Sequence, residues 1–294
     1  MEDFSKNVNF GIELEINSFD KRDFKRNPLK SEELPEGIHY ISDKVSKILN
    51  NFVEITQWHL THNNDNWLLK PDSSCGMELC SPVFKGVSSI SIIYDLISEL
   101  RNYPEIESND DCSLHLHVNV SNLLLIQIAK IFAYWIKAEP LYIDSLPKSR
   151  KNNEYCQFIG LTDKIDCSKS YINYFDLIYL FGDNKYYSIN SYHYLKKNRP
   201  TIEFRLLGNE GCQDPIIAKN WIRFILYFVE MAIQLPYPTI KWYDLDDFMV
   251  DFKLDDNVEE YRNWFLTRIY NNVSNNVLRS KVKTDVVKYV EGIK

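Results

Sequence analysis

The sequence predicts an α+β fold: an antiparallel sheet with helices packed on one face, followed by a C-terminal helical segment. Three observations carry this expectation. Apolar–polar alternation runs through residues 8–17 and 113–120, as in half-buried strands, and 201–207 reads as a further strand. Longer segments with apolar residues at helical spacing lie between and after them. Strands and helices do not alternate one for one, which argues against a doubly wound parallel sheet.

The elements follow in order. Residues 8–17 put Phe10, Ile12, Leu14 and Ile16 on one side of a strand and Gly11, Glu13 and Glu15 on the other. The polar, proline-bearing stretch 20–37 reads as a loop or insertion. Ile41, Val45, Ile48, Leu49 and Phe52 then recur at helical spacing through residues 40–53. Residues 67–69 and 77–79 are short strands joined by the turn-forming stretch 71–76. An amphipathic helix is expected over 87–101, and Ser121 or Asn122 would cap another that runs to Ala138. The stretch 146–186, rich in Asn, Tyr and Lys, reads as irregular. Asp214 and Pro215 open a helix to about Gln234, with proline in the first turn where its missing N–H costs nothing. The polar tail, 258–294, is expected to be helical and packed as a C-terminal segment.

Composition narrows the function classes. With 45% apolar and 26% charged residues the chain is an ordinary globular one, and 294 residues can bury a sizeable core. A net charge of −7 disfavours non-specific binding to nucleic acid, although Lys148–Lys151 and Lys196–Arg199 are local basic runs, most simply solvated loops. The cysteines at 75, 80, 112, 156, 167 and 212 form no C-x-x-C pair and no zinc-ribbon spacing. Residues 1–9 lack the basic start and apolar run of a secretory signal, so reduced thiols in a cytoplasm are expected. The longest apolar stretches, 123–136 and 222–235, are too short to span a membrane and are interrupted by Lys130 and Glu230. No P-loop, nucleophile elbow or dinucleotide fingerprint is present.

The chemistry is signalled by pairs of polar residues two apart on strands: Glu13 with Glu15, His115 with His117, and Glu203 with Arg205. Positions i and i+2 share a face, so each strand presents its pair on the side opposite Ile12, Leu14, Leu114, Leu116, Val118, Ile202 and Phe204. Glu78 supplies a further acidic position on the strand 77–79. Carboxylates crowded in this way repel unless cations neutralise them, and Mg²⁺ or Mn²⁺ takes such oxygen donors with an occasional imidazole. Each pair alone also fits a bland role, a solvated strand face, surface histidines or a surface salt bridge. The three together point to a site.

The ordered set of pieces resembles the amidoligase family, a branch of the glutamine synthetase and glutamate–cysteine ligase superfamily. The matching residues are Phe10 to Glu15; Trp67, Lys70 to Pro82 and Gly86; Ser113 to Asn119; Arg150, Tyr155 and Cys156; Tyr187 to Asn190; and Arg199 to Arg205. The resemblance spans about residues 9–230. It implies a glutamine-synthetase-like catalytic sheet in a domain of residues 1–238, with 239–294 a helical extension packed on it. It also implies an ATP- and Mg²⁺- (or Mn²⁺-) dependent ligase that joins a carboxylate to an amine through an acyl phosphate. Glu15 and Glu78 would hold one metal ion, and Glu13, His115 and Glu203 a second. His117 would sit beside the nucleotide or amine, and Arg205 would face the phosphoryl group or the substrate carboxylate. Lys70, Asp72, Arg150, Asn190 and Arg199 would contact nucleotide or substrate. Where glutamine synthetases carry an arginine two residues before the strand glutamate, this chain has Thr201. Two other readings stand beside this one: a metal-dependent amidase or peptidase-like hydrolase without ATP, and a non-catalytic nucleotide- or protein-binding descendant.

Overall fold

The computed structural model describes residues 7–17, 34–57, 65–151, 153–159, 184–236, 238, 243–254 and 259–272. Its elements, in chain order, are β1 (Asn9–Asn17), α1 (Ile38–Leu49), β2 (Val53–Ile55), β3 (Trp67–Asp72), β4 (Gly76–Cys80), β5 (Phe84–Lys85), α2 (Ile90–Leu100) and β6 (Ser113–Asn119). There follow α3 (Leu125–Ser145), β7 (Ile189–Asn190), α4 (Tyr192–Lys196), β8 (Thr201–Gly208), α5 (Asn209–Gln213), α6 (Pro215–Gln234), α7 (Leu245–Asp251) and α8 (Glu259–Asn272). They fall into two compact units, Met1–Asn119 with Glu203–Leu226, and Val120–Ile202 with Tyr227–Lys294.

The first unit is built on alternation. β1 pairs antiparallel with β4 on one side and β6 on the other, β3 continues from β4, and β2 joins β3 in parallel. β8 lies beyond β6, so the open sheet is mixed but mostly antiparallel, the arrangement the alternating segments predict. Cross-strand partners share a face. Leu14 therefore stacks with Leu79 and Leu114, and Ile12 with Leu116, all with less than about 2% exposure. Helix α1 packs on β2 and α2, while the short α5 packs on β6 and β1. Phe84 closes one end, with ring contacts to Phe10 at 5.6 Å and Trp67 at 5.8 Å.

The second unit is an aromatic helical core. α3 carries Trp135 and Tyr142 one above the other, their rings 4.3 Å apart, and α8 packs against it. Phe228, Phe248, Phe252 and Phe265 complete the cluster, all at most 1% exposed. The buried Glu139 carboxylate accepts from the Ile159 N–H (2.9 Å) and the Ser188 hydroxyl (3.1 Å), tying two loop segments to α3. Lys130 caps the end of α6 by donating to the Ile233 carbonyl at 2.8 Å and to the Leu235 carbonyl.

Several expected boundaries move, each for a local reason. The helix expected over 40–53 ends at Leu49, because Asn50 turns left-handed at φ 46° and Val53 opens β2. Pro71 and Asp72 complete β3 instead of belonging to the turn; Asp72 Oδ1 accepts from the Ser74 (2.7 Å) and Cys75 (3.2 Å) N–H groups, and Gly76 at φ 114° starts β4. The segment expected as one helix over 87–101 opens with a 3₁₀ turn at Val87–Ser89. Neither Ser121 nor Asn122 caps α3. The chain turns at Leu124, whose N–H is taken by the Gln127 side chain at 2.8 Å. That helix then passes Pro140 and ends at Ser145 rather than Ala138, since burial of Leu141, Tyr142 and Ser145 outweighs one lost backbone bond. α7 falls inside the segment 239–294 expected to be helical, and of the regions read as loop, irregular or helical, residues 20–33, 160–183 and 273–294 lie outside the described residues. Among the described residues no helix is long and apolar enough to cross a membrane.

Candidate metal centre

The odd-numbered face of β1 carries the chemistry. Glu13 stands opposite Cys80 of β4 and His115 of β6, Glu15 opposite Glu78, Glu78 opposite Lys70 of β3, and Gly11 opposite His117. β8 adds Glu203 and Arg205 to the same face, within the same unit. This face is not solvated. Glu15, Glu78, His115 and Glu203 are only 4%, 6%, 2% and 1% exposed, which removes the reading of the pairs as an ordinary wet strand surface.

His115 is the hub. Its Nδ1 lies 3.3 Å from Glu13 Oε2 and 3.5 Å from Glu203 Oε1, and Arg205 Nη1 reaches the same nitrogen at 3.4 Å. Its Nε2 lies 2.7 Å from Ser113 Oγ, which in turn is 2.7 Å from Glu15 Oε2. The hydroxyl has one proton, so two arrangements satisfy this chain. With Glu15 ionised, Ser113 donates to Glu15, receives the Nε2–H of His115 and leaves Nδ1 a bare acceptor among carboxylate oxygens. With Glu15 protonated, every donor reverses and Nδ1–H is given to Glu13. The first arrangement turns Nδ1 and the Glu13 and Glu203 oxygens toward one point as acceptors, a set that the Arg205 guanidinium meets here and that a metal cation could also take. His117 Nε2 lies 3.3 Å from Glu13 Oε1, Lys70 Nζ 2.8 Å from Glu78 Oε1, and Arg205 is paired with Glu203.

The ionisation pattern reflects this crowding. Burial and the neighbouring Asp72 push the Glu15 carboxyl well above its ordinary value. Burial and the charge of Glu13 raise Glu78 to about 7. Burial with the Arg205 guanidinium lowers His115 to about 4, so its ring is neutral and able to ligate. Against the upward push of burial, Arg205 and the histidines hold Glu203 down to about 2, and His117 and Lys70 hold Glu13 well below the carboxylate range. Burial thus favours the protonated forms of Glu15 and Glu78, and a bound cation would displace those protons.

Among the described residues of the first unit, donor atoms converge in three groups, each with all members within 4.8 Å of one another: Glu13 with His115 and Glu203, Glu13 with Glu78 and Cys80, and Glu15 with Asp72 and Cys75. The first is the set expected from the sequence. Glu15 and Glu78 face each other across β1 and β4, yet their donor atoms gather in different groups. The structure brings Glu13, Glu15, Lys70, Asp72, Glu78, His115, His117, Glu203 and Arg205 into one unit. Arg150, Asn190 and Arg199 belong to the other. There Arg150 is buried, Arg199 is exposed, and the Asn190 amide is used locally, donating to the Lys185 carbonyl at 3.0 Å and accepting from the Tyr192 N–H at 3.1 Å. Read from the sequence alone, Ser113 has no assigned role, and Cys75 and Cys80 are small buried thiols rather than nucleophiles. The period of two that singled out the histidines and Glu78 also marks Ser113, two before His115, and Cys80, two after Glu78.

No curated protein matches the chain. The sequence model of the family described as "putative amidoligase enzyme" matches residues 6–229.

Proposed function

Because the chain belongs to the amidoligase family, we propose that it is a cytoplasmic, ATP- and Mg²⁺-dependent carboxylate–amine ligase with a glutamine-synthetase-like catalytic sheet. The observation that carries this reading is the convergence of donor atoms from half-buried Glu13 and buried His115 and Glu203, with the Arg205 guanidinium against them and Lys70 on the neighbouring Glu78.

The donor set fits a divalent ion: carboxylate oxygens and one neutral imidazole nitrogen. Glu13, His115 and Glu203 would hold one Mg²⁺ (or Mn²⁺), with Glu78 and Glu15 available to a second. When bound, such ions supply positive charge that lets a polyphosphate and a carboxylate approach each other. The need for ATP is chemical. A carboxylate does not yield to an amine in water because its leaving group would be an oxide. Transfer of the γ-phosphoryl group to a carboxylate oxygen releases ADP and leaves an acyl phosphate. The amine then attacks the carbonyl carbon, the carbon–oxygen bond to phosphate breaks, and the amine gives up a proton.

The chain's own groups divide this work. Arg205, held by Glu203, presents a fixed guanidinium to the transferring phosphoryl group or the substrate carboxylate. Lys70, anchored on Glu78, adds a second positive charge. His117, its proton affinity raised by Glu13 against the effect of burial, is assigned to take the amine's proton. Asp72 braces the β3–β4 turn beside Glu15. The resemblance alone assigns Arg150, Asn190 and Arg199 to nucleotide or substrate. The carboxylate belongs to an amino acid, a peptide or a protein side chain, and substrate screening selects among them.

Thermal melting with and without Mg²⁺ and ATP tests the reading. A ligand at 100 times its Kd adds about 2.7 kcal/mol to stability. Stabilisation by Mg·ATP in the wild type and its loss in Glu15→Ala support the ligase. Stabilisation by metal that ignores ATP transfers the case to the hydrolase, and no shift with either removes the assignment.

A further inference from the structure

We propose that the cleft between the end of α2, α5 and the start of α6 is a second ligand site, which takes a primary amine carried on an apolar body. It lies within the first unit and does not rest on the ligase reading.

The cleft has a volume of about 740 Å³, within the range of roughly 300–1,000 Å³ that small-molecule sites occupy. Its floor is apolar. Leu14 and Ile16 of β1 and Leu100 of α2 line it, each buried. Leu14 and Ile16 belong to the apolar face of β1, opposite the face that presents Glu13. α5 is pinned against the same layer, where a side chain in place of Gly211 would strike Leu207 and Leu114.

The polar part of the lining selects the charge of the occupant. Glu107, Glu210 and Asp214 stand against the guanidinium of Arg101. Asp214 is partly engaged in capping α6, accepting from the Ile216 and Ile217 N–H groups at 2.8 and 3.2 Å, which leaves Glu107 and Glu210 to meet a ligand. In the same wall the Ser108 hydroxyl oxygen is buried and has no hydrogen-bond partner among the described residues. An ammonium group brings donors alone, which suits two carboxylates and an unfilled hydroxyl acceptor. The half-buried Tyr103 ring adds an aromatic face for the cation or for the apolar body. An anionic ligand would meet like charge here, and a wholly apolar one would leave the Ser108 hydroxyl unsatisfied.

Phenethylamine titrated calorimetrically into the purified, metal-free full chain, without ATP, tests this. The wild type should bind it, and should bind phenylpropionate, the same body with the opposite charge, at least about 10-fold more weakly. Glu107→Lys should weaken the amine by about 10-fold, and the milder Glu107→Gln by a smaller factor. Melting without ligand checks that both variants are folded. His117→Ala, on the polar face, should bind the amine as the wild type does, which separates this cleft from an amine pocket at the candidate metal centre. No binding, equal affinity for the two probes, or an affinity unchanged in Glu107→Lys overturns the proposal and leaves the ligase reading standing. Binding lost in His117→Ala assigns the amine to the polar face and overturns the cleft as its site.

Discussion

Glu78 offers the sharpest quantitative prediction. Its carboxyl lies buried between Glu13, Lys70 and Cys80, and burial with the charge of Glu13 raises it from 4.5 to about 7. The folded protein therefore prefers the protonated form by about 3 kcal/mol, at ~1.4 kcal/mol for each tenfold change in proton affinity. A carboxyl raised on folding contributes stability that is complete below its unfolded value and is lost as pH climbs through its folded value. Most of the loss should fall between about pH 5.5 and about pH 8.5, roughly 2 kcal/mol of it within that window. Glu78→Gln imitates the protonated form and cannot ionise. Urea denaturation of metal-free wild type and Glu78→Gln at both pH values cancels the contributions of every other group. The variant should gain about 2 kcal/mol on the wild type as pH rises across the window. Parallel pH dependences would show that Glu78 ionises normally and that the polar face is not crowded with negative charge.

Three further outcomes follow from the same geometry. Glu203→Gln leaves Arg205 without the carboxylate that neutralises it in a nearly buried position, and melting should report a loss of about 3–5 kcal/mol; a loss below about 1 kcal/mol would mark the pair as a surface bridge. Ser113→Ala breaks the 2.7 Å contacts to both Glu15 and His115 and should cost about 1–3 kcal/mol in the metal-free protein, read by denaturant titration. In the second unit, Phe248→Ala empties a site bounded by Tyr142, Tyr243, Phe252 and Phe265 and should cost about 3–5 kcal/mol in thermal unfolding.

What the sequence made legible, and what it did not, divides along physical lines. β1, β6 and β8 were readable because a period of two over seven or more residues has few competing explanations. The same period fixed which side chains share a face, and so assembled Glu13, Glu15, His115, His117, Glu203 and Arg205 without any structure. Burial was not readable. A strand with two glutamates looks alike whether its polar face is wet or covered, and only the 1–4% exposure of Glu203 and Glu15 separates the cases. β2, β5 and β7 have two or three residues each, too short for any period. α7 is seven residues long and left only its cap as a signal, Asp244 accepting from the Asp247 N–H at 2.9 Å. Pro140 hid the last turn of α3, since proline is a helix stop in sequence and tertiary burial overrode it. The thiols at 75 and 80 read as buried filler because a cysteine without a C-x-x-C partner carries no specific signal, while here each stands among carboxylates.

The central claim, amide formation driven by ATP, is tested most directly by ADP release. Purified protein with Mg·ATP is offered a matrix of carboxylates and amines, beside the same protein carrying Glu203→Gln as a control. The account predicts ADP release above background only where a carboxylate and an amine are both present, with an equal amount of amide and none from the control. ADP release that ignores both substrates, or amide cleavage that proceeds without ATP, would contradict it.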